Sequence, residues 1–182
     1  MVAPILLPAE ITAPTEYRVV ERPAALVDVS ENGEAMVRIS ETGIVEFFSV
    51  ADGSGIAAYD LGSTIVKAKR LSPLVDTYAL LDNNNNLLFV KTHYIVDFDG
   101  GQRRLSPKLS FPFSNRSIPL GPLDNFDVQL ADDDLVIATV RGSQVSLTRF
   151  KNVEIGYRLS GSAQVTLAST VQAQEVLSLI HI

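Results

Sequence analysis

Between residues 24 and 61 the chain runs through four short apolar or alternating segments, Ala24 to Val29, Ala35 to Ser40, Ile44 to Val50 and Ile56 to Leu61. Glu31-Asn32-Gly33, Glu41-Thr42-Gly43 and Asp52-Gly53-Ser54-Gly55 separate them, and each separator carries a glycine. Glycine reaches the positive φ of a tight hairpin turn without a Cβ clash. Segments this short cannot form amphipathic helices, and windows with apolar residues repeating at three and four are scarce. Four strands and three tight turns therefore predict one antiparallel meander.

The same grammar recurs twice. Ile65 to Arg70, Thr77 to Leu81 and Leu87 to His93 form a second round, with Asp82 to Asn86 as its turn. The four consecutive asparagines there tolerate left-handed backbone and bond to their own main chain. A third round reads Phe126 to Leu130, Leu135 to Val140 and Val145 to Phe150, turning at Asp132-Asp133-Asp134 and Gly142-Ser143-Gln144. The central turns Thr42 and Asn84 lie 42 residues apart, within the ~40–45 residues of a four-stranded propeller blade. Asn84 and Gly142 lie 58 apart, which requires an insertion, and Ser106 to Asp124 supplies one. Pro107, Pro112, Pro119 and Pro122 bar that insertion from central strand pairing. It is expected to run over one face of the stack, anchored by the rings of Phe111 and Phe113.

The expected fold is all-β: antiparallel meanders of a partial β-propeller with about three blades, near residues 23–62, 63–113 and 123–170. A closed propeller needs at least about four blades. Self-association of the fragment is therefore expected, with a second copy completing the ring. Residues 1–22 read as an extended segment preceding the β domain at 23–182. No stretch approaches the ~20 apolar residues of a spanning helix. Val2 to Leu7 lacks the charged start and long apolar middle of a signal peptide. The apolar alternation Glu175 to Ile182 reads either as a cut edge or as a final strand paired inside the fold, and a cut edge is the expectation.

Composition removes several chemistries. Of the 182 residues none is cysteine, which excludes thiolate catalysis, disulfides, zinc knuckles and iron–sulfur clusters. With 15 Lys+Arg against 21 Asp+Glu the net charge is −6, so no overall field attracts nucleic acid.

The residues resemble one family. The meander from Ala24-Ala25-Leu26-Val27-Asp28-Val29 through Gly43-Ile44-Val45-Glu46-Phe47-Phe48-Ser49-Val50-Ala51-Asp52-Gly53 looks like a WD-type blade without the Trp-Asp signature. More specifically, Asp97-Phe98-Asp99-Gly100-Gly101-Gln102-Arg103-Arg104-Leu105-Ser106-Pro107 is similar to a polar turn, Gln-Arg and Ser/Thr-Pro stretch in the periplasmic insert of proteobacterial phosphate-type ABC transporter permeases. Val2-Ala3-Pro4-Ile5-Leu6-Leu7-Pro8-Ala9-Glu10 resembles the residues that follow the first membrane helix of those permeases. The resemblance implies an accessory or docking role on the periplasmic side of the bacterial inner membrane. Its implied partners are the remainder of the permease chain, the other transporter subunits and a periplasmic binding protein. The transport path would lie in membrane segments elsewhere, so it assigns no transport-site residue here.

Candidate chemistry is sparse. Asp97 and Asp99 share a strand face beside His93, but a cation loop needs more oxygen ligands, and Gly100-Gly101 reads as a hairpin apex. The adjacent carboxylates Asp132, Asp133 and Asp134 point in different directions. Neither a Gly-x-Ser-x-Gly elbow nor a phosphate-cradling loop leading into a helix is present, so neither enzymatic activity nor a cofactor is expected. Two basic groups remain, Lys67, Lys69 and Arg70, and Arg103, Arg104 and Lys108. The bland reading is solvated strand faces that discourage edge pairing. The functional one is contact with phosphate, a loaded binding protein or anionic headgroups. A rival of another class is a free-standing propeller or sandwich that binds a small ligand or sugar.

Overall fold

The computed structural model describes residues 23–72, 75–112, 117–131, 134–153 and 156–166. The expectations for residues 1–22, Phe113, Asp132, Asp133 and 175–182 lie outside these residues.

Every regular element described is a strand, and the strands form three antiparallel sheets. Sheet 1 is the meander β1 (Ala24–Val29), β2 (Ala35–Ser40), β3 (Ile44–Ser49) and β4 (Gly55–Asp60). Sheet 2 holds β5 (Ile65–Ser72), β6 (Val75–Asp82), β7 (Asn86–Asp99) and β8 (Gln102–Ser110), and the short β9 (Ser117–Pro119) also pairs with β7. Sheet 3 is β10 (Asn125–Ala131), β11 (Asp134–Arg141), β12 (Gln144–Val153) and β13 (Gly156–Thr166). The first strands of the sheets lie side by side, β1 against β5 and β5 against β10. Sheets stacked face to face with their first strands adjacent have the arrangement of consecutive propeller blades.

Sheet 2 sits in the middle, and its sequence shows why. Tyr78-Ala79-Leu80-Leu81 and Leu87-Leu88-Phe89-Val90 are continuous apolar runs, the pattern of strands buried on both faces. Alternate residues serve opposite sides. Tyr78, Leu80, Leu88 and Val90 pack with Ile65 against Val37, Ile39, Val45 and Phe47 of sheet 1. Ala79, Leu81, Leu87 and Phe89 pack with Leu71 against Phe126, Val128, Leu135 and Ile137 of sheet 3. The ring of Phe47 meets Tyr59 and Tyr94 edge-on, at centroid separations of 6.1 and 6.2 Å, the favoured geometry for aromatic quadrupoles.

The proline-rich insertion departs from expectation in two respects. Ser106 to Ser110 belong to β8, where Pro107 is tolerated because β8 is an edge strand. The segment is anchored by aliphatic side chains, Ile118, Leu120 and Leu123 packing onto the core between sheets 2 and 3, whereas Phe111 is 39% exposed.

Two turns show what holds the meanders in register. Asp82 Oδ1 accepts the backbone N–H of both Asn84 and Asn86, each at 2.8 Å, which lets Asn85 sit at φ +59°. At Gly43 φ is +82°, and a Cβ there would stand 2.0 Å from the carbonyl oxygen of Ser63. This close approach lets the β2–β3 turn support the entry to sheet 2, with Leu61 N–H donating to Gly43 O and Ile65 N–H to Glu41 O. Gly53, at φ +70°, has open space around the same position.

Gly43→Ala is therefore expected to cost about 3 kcal/mol or more, since strain and a backbone clash combine, against about 1 kcal/mol for Gly53→Ala. Urea midpoints of the two variants check the difference.

Candidate functional site

The six basic residues divide by what their side chains reach. Lys67 and Lys69 project from β5 toward sheet 3, where the Lys67 amine bonds Asn125 Oδ1 and the Lys69 amine pairs with Asp127. Lys67 Nζ also lies 5.2 Å from the centroid of Phe126, a cation–π contact. Burial against that ring pulls the Lys67 amine below the ordinary lysine range; the Asp127 charge opposes this and Lys69 adds to it. Arg70, next along the strand, points the other way, to Asp28 at 3.0 Å and the Val29 carbonyl at 3.1 Å in sheet 1, and to Asp76 at 2.7 Å. The first group is thus two connections of opposite direction. One joins sheet 2 to sheet 3, the other joins sheet 2 to sheet 1.

Arg103, Arg104 and Lys108 also lie on alternate faces of β8. Arg103 reaches Glu34 in the β1–β2 turn at 2.8 Å, and Arg104 pairs with Asp99 across its own hairpin at 2.9 Å. Lys108 is exposed on the Arg104 face, its backbone opposite His93. Exposed pairs of this sort contribute about 0–1 kcal/mol.

Asp97 and Asp99 share a face but do not converge on one point: Asp97 accepts the N–H of Phe98 and Asp99 takes Arg104. His93 Nε2 lies 2.8 Å from Ser110 Oγ with no carboxylate partner shown behind it. Asp134 pairs with Arg149 at 2.6 Å. Ser54 bonds Asp52, and the hydroxyls of Ser49 and Ser54 with the Ser54 backbone hold that carboxyl below its usual range. Among the described residues no group of three His, Asp or Glu is placed to hold a metal ion.

Sequence reasoning passed over the most buried polar groups. Asp76, 5% exposed, accepts the Glu31 N–H on both oxygens at 3.0 Å and receives Arg70. Thr92 donates to its carbonyl oxygen and bonds Tyr94, whose hydroxyl burial pushes above the usual tyrosine range. Tyr78 lies in the same interface, and its hydroxyl alone among buried described side-chain atoms has no hydrogen-bond partner. Burial first, then the Asp28 and Asp76 charges, raises its pKa far above the usual value. On the outer face of sheet 1, Arg38 and Glu46 form a cross-strand ion pair in a cleft of about 270 Å³ bounded by Pro23, Ser40, Glu41, Thr42 and Ile44. A charge inside an apolar strand, as in Val37-Arg38-Ile39 or Phe126-Asp127-Val128, was the available signal.

No family model and no curated protein matches the sequence. Solved structures similar to it include "KlHsv2 with loop 6CD replaced by a Gly-Ser linker" and Hsv2 of Kluyveromyces lactis with its complete loop 6CD. Both have a TM-score of 0.46, at 14% and 13% identity over 79% of this chain and 46% and 48% of theirs. The chain thus spans about half the length of these Hsv2 chains.

Removing Asp76 leaves Arg70 half-compensated and the Glu31 N–H unbonded. Asp76→Ala is expected to cost about 3–5 kcal/mol, the scale of a broken buried pair, and Arg104→Ala under about 0.5. Tyr78→Phe should gain about 1 kcal/mol at neutral pH by deleting an unsatisfied hydroxyl. The pH dependence has a definite sign. Because the folded state raises the pKa of Tyr78, the unfolded state loses its proton first, near pH ~10, and stability falls as pH rises through that value. Thermal melts from pH 8 to 11 should show this fall reduced in Tyr78→Phe, with Tyr94 contributing to the remainder and Lys67, whose folded amine loses its proton before the unfolded one, opposing it.

Proposed function

We propose that this chain is a non-catalytic accessory and docking module of an ABC transporter permease of the phosphate-uptake kind, held on the periplasmic side of the inner membrane. The observation that carries the scaffold part is where the strand charges go. Lys69 and Arg70 each bind a carboxylate on a neighbouring sheet, so these cations brace the stack. The transporter assignment is supported by the resemblance over Asp97 to Pro107, which form the protruding hairpin of β7 and β8. An exposed hairpin on a braced stack suits contact with other subunits or a loaded binding protein.

The parent reading frame decides the transporter part: it is expected to encode membrane helices on both sides of this segment. A frame that starts at Met1 and stops at Ile182 overturns it. Calorimetry decides the scaffold part. Inorganic phosphate titrated into the chain should give no heat. Heat that disappears in Arg103→Ala/Arg104→Ala would replace the scaffold with a ligand-binding domain.

A further inference from the structure

The outer half of the β7–β8 hairpin leaves the sheet. β6 last pairs with β7 at Thr77 and Lys91, whereas β8 follows β7 to Asp99. From Tyr94 onward β7 therefore has one strand neighbour among the described residues, and Ile95, Val96 and Phe98 are 52%, 44% and 67% exposed. The turn is Gly100-Gly101, with φ +56° and +81°, a two-residue loop that makes Asp99 and Gln102 a hydrogen-bonded pair. Alternation then sends the backbone groups of Asp97 and Ile95 toward β8, and those of Tyr94, Val96 and Phe98 toward the open edge. The Phe98 N–H, bonded at 2.8 Å by the carboxylate of Asp97 and by no strand, agrees with this assignment.

Three other edge strands carry guards. On β8, Pro107 offers no N–H, and Arg103, Arg104 and Lys108 line the strand. On β1 and β10, Asp28, Asn125 and Asp127 each bond the N–H of the next residue. On the outer half of β7 only Phe98 is covered in this way, and Tyr94 to Asp99 includes no Lys, Arg or Pro.

We propose that this edge pairs antiparallel with the same edge of a second copy of the chain, about a two-fold axis at Val96. Three features select a second copy. The outward-bonding residues Tyr94, Val96 and Phe98 are symmetric about Val96, so each exchanges both backbone bonds with a counterpart. On one face the register sets Val96 against Val96 and Tyr94 against Phe98, all apolar. On the other it sets His93 against Asp99 and Ile95 against Asp97 of the second copy. Charge opposes the contact only weakly: the hairpin is net positive on both copies, but Arg103 is already paired with Glu34 and Arg104 with Asp99, which leaves Lys91 and Lys108 against Asp97. The pairing covers the exposed Val96 and Phe98 side chains and displaces the Asp97 carboxylate from Phe98 N–H. This inference concerns the chain itself and stands whether or not the transporter reading does.

The cysteine-free background gives a direct test. Hydrogen-bonded residues in an antiparallel pair have Cα atoms ~5.5 Å apart, within disulfide reach. Mild oxidation of Val96→Cys should yield mostly covalent dimer, and Lys108→Cys on the guarded edge mostly monomer. Because the contact is smaller than the ~800 Å² per partner of a standard interface, the unaltered chain should dimerise with a Kd of about 10 μM to 1 mM by sedimentation equilibrium. Val96→Pro removes an N–H that no strand among the described residues uses, so it should weaken the dimer at least tenfold at an unchanged melting temperature. If that variant does not fold, Val96→Lys, which opposes two ammonium groups at the axis, should weaken it equally. A single monomeric species at ~1 mM, or Val96→Cys cross-linking no faster than Lys108→Cys, overturns the proposal. So does undiminished dimerisation of the folded Val96 variant.

Discussion

Burial of sheet 2 on both faces is the constraint from which the other features follow. A strand with both sides covered has no solvent face on which to place charges, so β6 and β7 spend their central residues on carbon: Tyr78 to Leu81 and Leu87 to Val90 are all buried. Sheets 1 and 3 each turn one apolar face to it, Val37, Ile39, Val45 and Phe47 from sheet 1 and Phe126, Val128, Leu135 and Ile137 from sheet 3. A large-to-small change in the middle sheet leaves a cavity that flanking sheets can close from one side only. Phe89, 1% exposed and central to the packing against sheet 3, is the side chain whose loss would be felt most directly there.

Charge is confined to the margins of that stack and is used there for alignment. β5 borders both neighbouring first strands, and its alternation sends Lys67 and Lys69 one way and Arg70 the other. Such pairs add little net stability, because desolvation offsets attraction, but breaking one leaves a stranded charge. Their effect falls on geometry. Arg70 binding Asp28 and Asp76 ties the first strand of sheet 1 to the second of sheet 2, while Asp76 also receives the N–H of Glu31. The angle between two sheets is thereby set by hydrogen-bond directions as well as by side-chain volume.

What was legible in the sequence was local. Glycine and asparagine turns between short apolar runs specify the meanders, because turn chemistry depends on adjacent residues: Gly33, Gly43 and Gly53 adopt the positive φ read for them, and Asn85 does likewise. What was illegible was long-range. Lys67 and Lys69 looked like a solvated pair because Asn125 and Asp127 lie 58 residues further on, and nothing in either segment names the other. Arg103 and Arg104 looked like one patch because adjacency in sequence hides alternation, which divides them between Glu34 and Asp99. Phe111 looked like an anchor because rings bury much area, but the anchoring site accepts Ile118, Leu120 and Leu123.

The same alternation explains why the edges differ. On a first strand, an Asp or Asn can turn back on the N–H that follows it, closing an edge donor without any partner; Asp28, Asn125 and Asp127 do so where three sheets crowd together and a stray strand would disrupt the stack. On β8 proline and cations perform that task. The outer half of β7 has the length, branching and aromatic content that favour pairing, together with a single such cover at Phe98. A two-stranded ribbon is marginal on its own, and Tyr94 against Phe47 with Arg103 against Glu34 supports one face of this one and leaves its edge open among the described residues. A strand added along Tyr94, Val96 and Phe98 would make the ribbon three-stranded and bury the side chains that the extension exposes.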